Sequence, residues 1–585
     1  MTNAEIALAL RSIAELLAIR GENPFRIRAY ERAAMFLEGF PQDLEDVYHA
    51  GGTNALAELP GIGKDLAEKI GELVDTGKLQ FLRDLEQRVP KGLRAVMAVE
   101  GMGPKRTQFV WEEFQVRNLR DLERLVRSGR LSRVRGWGTQ SVQNIARAIE
   151  THRAFGKRLP IGKARPIAEA LLRHLERSQL CDTVTIAGSL RRWKETIGDI
   201  DLLATSAHPE RVMEFFCGLP FVARVIARGP TKANVLLRVG IEADLRVVDP
   251  DVFGAALHYF TGSKAHNIHV RTIAVAKGLT ISEYGVFRGT KAHKGKRIAC
   301  RTEEDVFRTV GLPYIPPELR EDIGEVELAE QHRLPALLEA ADLHGDLHLH
   351  SDFSDGSGSM EEMIAAAKRA GRSYIALTDH ASVMGMVRGL KTRSPQQRGN
   401  VAAYVRRVRA AAAKVSGIQV LVGAEVDILP DGRLYLSDAE LRQLDWVIGS
   451  VHQSFKQTPA QATQRLLRAM DHPALRCIGH PSTRLIGGRG ELALDWDAVF
   501  RRAAERDIAL ELNASWVRLD LDDVRCRRAQ SMGVRVCVNS DAHHPQEFDV
   551  TYGVHQARRG WLTRADVLNA LPWSKLQQWL RRGRA

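Results

Sequence analysis

The stretch IAGSLRRWKETIGDID, residues 186–201, decides how the middle of the chain is read. It begins as a strand running into Gly188-Ser189, turns through a short helical segment carrying Arg191 and Arg192, and re-enters a strand that delivers Asp199 and Asp201. Side chains two apart on a strand share a face, so the two carboxylates converge. They repel unless a cation lies between them, which points to Mg²⁺ or Mn²⁺. A third strand-like run, IEADLRVV (241–248), offers Asp244 between apolar neighbours. Three carboxylates on adjacent strands can hold two metals roughly 3.5–4 Å apart, the arrangement that serves in-line phosphoryl transfer. Gly188 and Ser189 leave backbone N–H groups available to a phosphate. A bare D-x-D is equally at home in a solvated turn. The upstream Gly-Ser-x-Arg-Arg and the later Asp244 make that the weaker explanation.

At 585 residues the chain exceeds one hydrophobic core, so several domains are expected. Hydrophobic residues make up 44% and charged residues 26%, ordinary values for a globular protein. The formal net charge of +13 favours an anionic partner, and nucleic acid fits. The six cysteines form no C-x-x-C pair, so scattered core thiols in a reducing cytoplasm are expected rather than a disulfide framework. No apolar run approaches the roughly 20 residues of a membrane span, and the amphipathic N-terminus does not read as a signal peptide.

Residues 1–150 are helical in pattern and contain an internal repeat: LPGIGKDLAEKI (59–70), VEGMGPKRTQFV (99–110) and VRGWGTQSVQNI (134–145). Each copy has a G-h-G turn followed by helical spacing. The pairs Gly61/Gly63, Gly101/Gly103 and Gly136/Gly138 permit a tight hairpin whose N–H groups can approach a phosphate. Lys64, Lys105 and Arg106 add positive charge beside them. A single G-h-G would be a plain helix cap. Three at similar spacing resemble the helix-hairpin-helix element, which implies a grip on the DNA backbone without sequence reading.

Residues 343–585 carry a second pattern. Seven apolar, strand-like runs each end in a polar residue able to bind metal: DLHLH (346–350), YIALTDH (374–380), VLVGAEVDI (420–428), WVIGSVH (446–452), CIGHP (477–481), ALELN (509–513) and VCVNSDAH (536–543). Helical segments separate most of them, which implies a parallel barrel with its function at the C-terminal strand ends. His348, His350, His380, Glu425, His452, His480, Asp541 and His543 stand at those ends, and Asp355 follows the first in a Ser-Asp-Gly loop. His, Asp and Glu without Cys suit Zn²⁺, Mn²⁺ or Fe²⁺.

The first half resembles the X-family DNA polymerases. The three-carboxylate palm, the helix-hairpin-helix repeats, the thumb-like run AALHYFTGSKAHNIHVRTIAVAKGLTISEYGVF (255–287) and the close GLPYIPPELRED (311–322) carry the likeness. The resemblance implies that Asp199, Asp201 and Asp244 are catalytic and that Arg192 meets the dNTP triphosphate with Gly188, Ser189 and Gly198. It further implies that Tyr259, Phe260 and Gly262 line the nucleotide and that Asn267 and Arg271 reach the minor groove. The stretch GENPFRIRAYERAA (21–34) is similar to the family's lyase-type domain, with Tyr30 at a matching position and Lys69 where the Schiff-base lysine stands. Phe25, Asp65 and Phe81 replace a His and two Lys of the animal members, and Ile197 replaces a Ser. The second half resembles the PHP (polymerase and histidinol phosphatase) domain, which implies three divalent metals. His348, His350, Glu425 and Asp541 would hold the first. Glu425, His452 and His480 would hold the second, and Asp355, His380 and His543 the third.

The two resemblances together imply a bacterial or archaeal type of X-family polymerase. The expected fold is multidomain: a lyase-type helical domain (1–80), a fingers-type helix-hairpin-helix domain (81–155), an α+β nucleotidyltransferase palm (160–250), a thumb (251–320), an acidic helical linker (321–342) and a distorted (β/α)7 barrel (343–585). A second linker is expected at 156–166. The implied function is gap filling in base-excision repair with a 3′→5′ exonuclease, and with AP-endonuclease, 3′-phosphatase or weak 5′-deoxyribose-phosphate lyase activity beside it. The expected partners are gapped or nicked DNA and dNTPs, the expected state is a monomer, and the expected location is the cytoplasm. Two other readings stay open on residues alone: a DNA-bound scaffold with a spent palm, and a small-molecule phosphoesterase on a DNA-binding module.

Overall fold

The computed structural model describes the chain except residues 1–2, 39–43, 60, 98, 100, 135, 139–140, 147, 150–157, 290–293, 299, 383–400 and 583–585. Pro60, Glu100, Arg135, Thr139 and Gln140 of the repeat, and Gly156 and Lys157 of the expected linker, lie outside the described residues. The chain falls into two compact units, one of residues 1–159, 163–185 and 198–247, the other of residues 160–162, 186–197 and 248–585.

The first unit opens with helices, among them Asn3–Ile19, Pro24–Glu38, Leu44–Ala57, Lys64–Thr76, Gln80–Arg88, Gly103–Phe114 and Leu119–Arg127. Their apolar faces share one core that runs from Ile6, Leu10 and Ile13 to Val142 and Ile145. Local chemistry sets the ends: Asn118 caps the backbone N–H of Asp121, and Gly77 closes Lys64–Thr76 in the left-handed conformation. The same unit holds a five-stranded sheet in the order Thr183–Ile186, Asp199–Thr205, Glu242–Val248, Lys232–Leu237, Val222–Arg228. Along Asp199–Thr205 the buried residues Ile200 and Leu202 alternate with Asp199 and Asp201. Along Glu242–Val248, Ala243, Leu245 and Val247 are buried while Asp244 takes the other face. The two strands are neighbours, so the pattern read from the sequence places all three carboxylates on adjacent strands.

The second unit contains the short helix Gly188–Arg191, the helices Phe253–Thr261 and Lys264–Ala276, a three-stranded antiparallel sheet (Leu279–Ser282, Gly285–Gly289, Lys294–Ile298) and the helix Glu303–Thr309. It ends in a parallel sheet of Gly345–Leu349, Tyr374–Leu377, Gln419–Asp427, Trp446–Ser450, Cys477–Ile478, Ala509–Asn513 and Val536–Asn539, in that order, with His380–Ala381 paired beside Gln419–Asp427. A parallel bridge from Leu349 to Ala542 ties the last segment back to the first, giving a nearly closed barrel. All seven expected strands are present, and several stop short of the expected polar residue, which then stands on the loop. The strands are apolar runs because they are buried on both faces, by helices outside and by Leu347, Tyr374, Trp446, Ile448, Cys477 and Cys537 inside.

Two expected linkers are part of the fold. Residues 161–166 open the helix Ile161–Arg177. Of 321–342, only Glu325–Glu330 is an α-helix, and the stretch is packed: Val326 and Ala329 join the thumb core, and the fully buried Leu338 donates its N–H to Leu562 O at 2.9 Å. The acidic composition misled here because Glu325 is buried against His266 rather than solvated, with its Oε1 2.8 Å from His266 Nδ1. All six cysteines are free. Among the described residues, no helix is long and apolar enough to cross a membrane.

Candidate active sites

At the C-terminal rim of the barrel all nine expected ligands converge. His348 Nε2 lies 3.5 Å from both Glu425 Oε2 and Asp541 Oδ1, and His350 Nε2 lies 3.6 and 3.2 Å from the same two oxygens. The other oxygen of Glu425 meets His452 Nε2 at 3.1 Å and His480 Nε2 at 3.0 Å. Asp355 Oδ2 lies 3.3 Å from His380 Nε2 and 3.5 Å from His543 Nε2. The three expected sets are thus recognisable, with two overlaps: His380 also turns Nδ1 to Glu425 at 2.8 Å, and His350 Nδ1 lies 3.7 Å from Asp355. Three groups of ligand atoms gather within 4.8 Å: His350/Asp355/His380/His543, His348/His350/Asp541 and His380/Glu425/His452.

This donor set fits divalent metals. His348 Nε2 and both ring nitrogens of His350 are buried without a hydrogen bond among the described residues. Burial pushes His350 down to about 3, with His543 and His380 adding to the effect, so its imidazole is neutral, the form that binds metal. Burial also pushes His480 down, to about 4. Burial alone would raise the Glu425 carboxyl, but His452, His380 and His348 more than offset it and hold it well below its usual range.

A supporting ring of side chains was missed from the sequence. Glu511 Oε1 lies 2.7 Å from His348 Nδ1, and its other oxygen accepts the His480 N–H at 2.7 Å. Asp427 meets His452 Nδ1 at 2.8 Å, and Asn513 Nδ2 donates to Asp541 at 2.9 Å. Asp379 accepts from the Ser351 and Ser354 hydroxyls at 2.7 and 2.6 Å, fixing the loop that leads to Asp355. Such partners orient metal-binding imidazoles.

On the sheet of the first unit, Asp244 accepts from Asn234 Nδ2 at 2.9 Å and lies 3.2 Å from Lys232 Nζ. Among the described residues the clusters of metal-ligand proximity all lie in the barrel. The Asp199/Asp201/Asp244 set is therefore brought to adjacent strands but not to that closeness, and Lys232 and Asn234 engage Asp244.

In the second unit, the turn at 188–192 meets the end of Phe253–Thr261. Arg192 Nη1 donates to Thr261 O, Arg191 Nη1 donates to Thr261 Oγ1 at 2.6 Å, and Arg191 Nη2 bonds Glu303 at 2.6 Å. Burial would raise Glu303, but Arg320 and Arg191 overcome it and hold the carboxyl at about 2. The Ser189 hydroxyl is buried without a hydrogen bond among the described residues, and a Cβ on Gly262 would lie 3.1 Å from Arg192 Nη1. Both features suit a phosphate-sized ligand at this turn. Tyr259 and Phe260 stand half-buried and edge to face, with centroids 5.1 Å apart. Asn267 Nδ2 donates to Tyr259 O at 2.7 Å, and Arg271 Nε donates to Asn267 O at 3.0 Å. Gly198 belongs to the other unit.

The three hairpins repeat one geometry. Ile62, Met102 and Trp137 are buried, while the flanking glycines are exposed. Gly61, Gly101 and Gly136 have φ of 78°, 85° and 88°, a region that favours glycine. The second glycines of the three pairs are not alike. Gly103 has φ of 41°, but Gly63 and Gly138 lie outside the left-handed region, Gly63 at −82°. A Cβ on Gly63 or Gly138 would meet nothing within 4 Å. Gly63 O accepts the Ala67 N–H at 2.9 Å and Gly138 O accepts the Val142 N–H at 3.1 Å, so both residues open the following helical turn, a place that other small residues fill equally well. Backbone conformation therefore does not demand glycine at 63 or 138. What glycine provides at these two positions is an uncovered main chain.

Lys64 and Lys105 are exposed, whereas Arg106 turns inward to Gly101 O at 2.8 Å and Ser141 Oγ at 3.1 Å and braces the second hairpin to the third. Near the first hairpin, Lys69 Nζ is ion-paired with Asp65 and lies 5.2 Å from the Phe81 ring centroid, with Arg26 also over that ring at 5.2 Å. Tyr30 stacks on Phe81 at 6.4 Å. Arg28 instead lies over Phe25, 4.9 Å from its centroid.

Comparisons with known proteins agree with both halves. Residues 1–79 match a helix-hairpin-helix domain, 256–321 match the DNA polymerase beta thumb, and 346–515 match the PHP domain. The chain is 35% identical over 585 residues to DNA polymerase/3′-5′ exonuclease PolX of Bacillus subtilis (strain 168), with 100% of each chain covered. It is 26% identical over 347 residues to DNA polymerase lambda of Rattus norvegicus, covering 54% of this chain and 56% of that protein. It is 25% identical over 324 residues to DNA polymerase lambda of Arabidopsis thaliana, covering 50% and 57%. A polymerase-type thumb and hairpins at one end, a PHP barrel at the other and a full-length relative that unites them have one meaning: the chain belongs to the X-family DNA polymerases of the PolX type, with a C-terminal PHP domain.

Proposed function

We propose that the protein is a DNA-directed DNA polymerase that fills short gaps during base-excision repair and trims 3′ ends with its barrel as a 3′→5′ exonuclease. The observation that supports the reading is the coexistence of two sets of ligand-bearing residues in one chain: carboxylates on adjacent palm strands and nine converging side chains on the barrel rim. Asp199, Asp201 and Asp244 would hold two Mg²⁺ or Mn²⁺ ions once drawn together around them, and the nine barrel residues would hold three divalent ions, Zn²⁺, Mn²⁺ or Fe²⁺. Bound there, the metals supply Lewis acidity and neutralise charge developing on phosphate oxygens.

The chain's own residues bind and orient. Arg192 and Ser189 receive the triphosphate, Tyr259 and Phe260 flank the sugar, and Asn267 and Arg271 follow the minor groove. The hairpin glycines let backbone N–H groups meet DNA phosphates, which holds duplex ends without reading sequence. In the barrel, Glu425 divides its two oxygens between two groups of histidines, and Glu511 and Asp427 fix the rings. The same rim acts on abasic sites or 3′-phosphates, and Lys69 gives a weak lyase. The domain limits are those expected from the sequence except that 161–166 and 321–342 belong to packed elements rather than linkers, the protein works as a monomer, and its place is the cytoplasm.

Extension of a primer across a one-nucleotide gap, with parallel degradation of a labelled 3′ end, tests the reading. Synthesis without degradation would remove the exonuclease. Hydrolysis of small phosphate monoesters in place of DNA ends would favour a phosphoesterase carried by a DNA-binding module.

A further inference from the structure

The turn that carries Arg192 is docked on the barrel by side chains to which neither reaction assigns a role. The Trp193 ring lies flat on His555, with centroids 3.5 Å apart and planes 9° apart, and Glu195 Oε2 bonds Arg484 Nη2 at 2.7 Å. The turn is also held by Arg559, at the end of the barrel helix Thr551–Arg559. Its Nη1 donates to the carbonyl oxygen of Arg192 at 2.7 Å and to Glu321 Oε1 at 3.1 Å, and its Nη2 donates to Asp523 at 2.5 Å. The same Glu321 oxygen accepts Nε of Arg192 at 3.1 Å and lies 3.6 Å from Lys194 Nζ.

These contacts set the pose of one guanidinium. Bonds at Nε to Glu321 and at Nη1 to Thr261 O fix both the plane of Arg192 and its rotation about that plane. A cation oriented before its ligand arrives loses less freedom on binding. Glu321 can orient Arg192 only if it is itself held, and Arg559 holds it while gripping the main chain of Arg192. The Arg559 side chain is 2% exposed, so water competes little for these bonds. Around the turn, Arg192, Lys194 and Arg559 face Glu321 and Asp523, which leaves a surplus of positive charge suited to a triphosphate.

We propose that Arg559, a residue of the nuclease barrel, is a positioning residue for nucleotide binding by the polymerase, acting with Glu321 to orient Arg192. The proposal rests on the reading of Arg192 as a triphosphate-binding residue. A merely adhesive role differs from it in a checkable way. Arg558, next on the same helix, bonds Glu318 Oε1 at 2.7 Å and fastens the barrel without touching Arg192 in any described bond.

The test uses the full-length protein on a gapped duplex with a dideoxy-terminated primer. It measures equilibrium binding of the next correct dNTP with Mg²⁺, together with exonuclease turnover and melting temperature. Arg559→Lys keeps the charge but loses the forked geometry and weakens dNTP binding by about tenfold. Glu321→Gln does the same, and neither adds to the loss in an Arg192→Ala background. Arg558→Ala leaves dNTP affinity within about twofold, as expected for a partner outside the Arg192 network. Exonuclease turnover stays at the parent level in Arg559→Lys. If Arg192→Ala weakens dNTP binding while Arg559→Lys and Glu321→Gln do not, the inference is overturned and the nucleotide-site reading stands. Equal losses in Arg559→Lys and Arg558→Ala would reduce Arg559 to an adhesive. Normal dNTP binding by Arg192→Ala would remove the nucleotide-site reading and the inference with it.

Discussion

Glu511 Oε1 lies 2.7 Å from Nδ1 of His348, and this leaves Nε2 of His348 facing Glu425 and Asp541. A carboxylate behind an imidazole fixes its orientation and raises its basicity toward a metal. Glu511→Gln is therefore expected to lower barrel metal affinity about 10–100-fold while the fold persists. Elemental analysis after dialysis against a graded chelator reads this directly. Unchanged metal retention would make Glu511 a filler of the barrel floor.

The two reactions should be separable by single substitutions. Asp244→Ala removes a palm carboxylate and is expected to cut primer extension by about 10³-fold or more while leaving end degradation intact. Glu425→Ala should abolish degradation more completely than His350→Ala, because Glu425 serves two groups of ligands, and both should retain synthesis. Exonuclease loss in Asp199→Ala, with survival in Glu425→Ala, would move the nuclease out of the barrel.

Much of this was legible because metal ligands and strand ends leave local marks. The seven barrel runs and their nine polar ends could be read directly, as could the D-x-D strand and the G-h-G turns. Two of the supporting residues were readable in principle: Asp427 stands two after Glu425 and Glu511 two before Asn513, each on the same strand face as its neighbour. The G-h-G pattern could not tell its two glycines apart, because a left-handed turn residue such as Gly61 and an unstrained helix opener such as Gly63 or Gly138 carry the same letter. Arg106 was expected to face DNA, and its inward turn depends on where Ser141 of the third hairpin comes to lie. The Arg559–Arg192 bond spans 367 residues, and no local pattern encodes it.

DNA binding through hairpin N–H groups and lysines should fall steeply with salt and vary little with sequence. At Gly101, φ is 85°, so valine there is strained as well as bulky. Gly101→Val is expected to weaken duplex binding by about tenfold, through loss of a backbone phosphate contact. Fluorescence anisotropy across a salt series checks both claims. Affinity that followed base sequence and ignored salt would contradict the backbone-binding role.

A Schiff-base lysine attacks as the neutral amine. Lys69 is ion-paired with Asp65 one helical turn away, so its Nζ is engaged by a carboxylate rather than free to meet a sugar aldehyde. Borohydride trapping on a 5′-deoxyribose-phosphate end is expected to be weak, lost in Lys69→Ala and stronger in Asp65→Lys. Trapping that persisted unchanged without Lys69 would leave this lysine as a DNA contact.

Glu318 gives a stability prediction with a definite sign. Burial would raise its carboxyl, but bonds from His555 and Arg558 outweigh that and bring it to about 2, against an ordinary 4.5. Folding thus favours the ionised form. Its stabilisation is in full force above about pH 4.5 and fades as pH falls toward 2, on the order of 3 kcal/mol at most. Melting temperature against pH should fall less steeply over this window in Glu318→Gln than in the parent. Parallel curves would assign the acid loss to other groups.

The packing of 321–342 bears on inheritance. Leu338 sits in the barrel core with its N–H on Leu562, while residues 331–333 are exposed. A nick at that exposed tip would leave both flanks seated, and a gene trimmed to begin at 343 would lose a rib of its own barrel. The nuclease half thus begins upstream of 343. Recombination that shuffled it onto another polymerase would have to carry residues 334–342 along, so the usable crossover point lies at the exposed tip rather than at the first barrel strand.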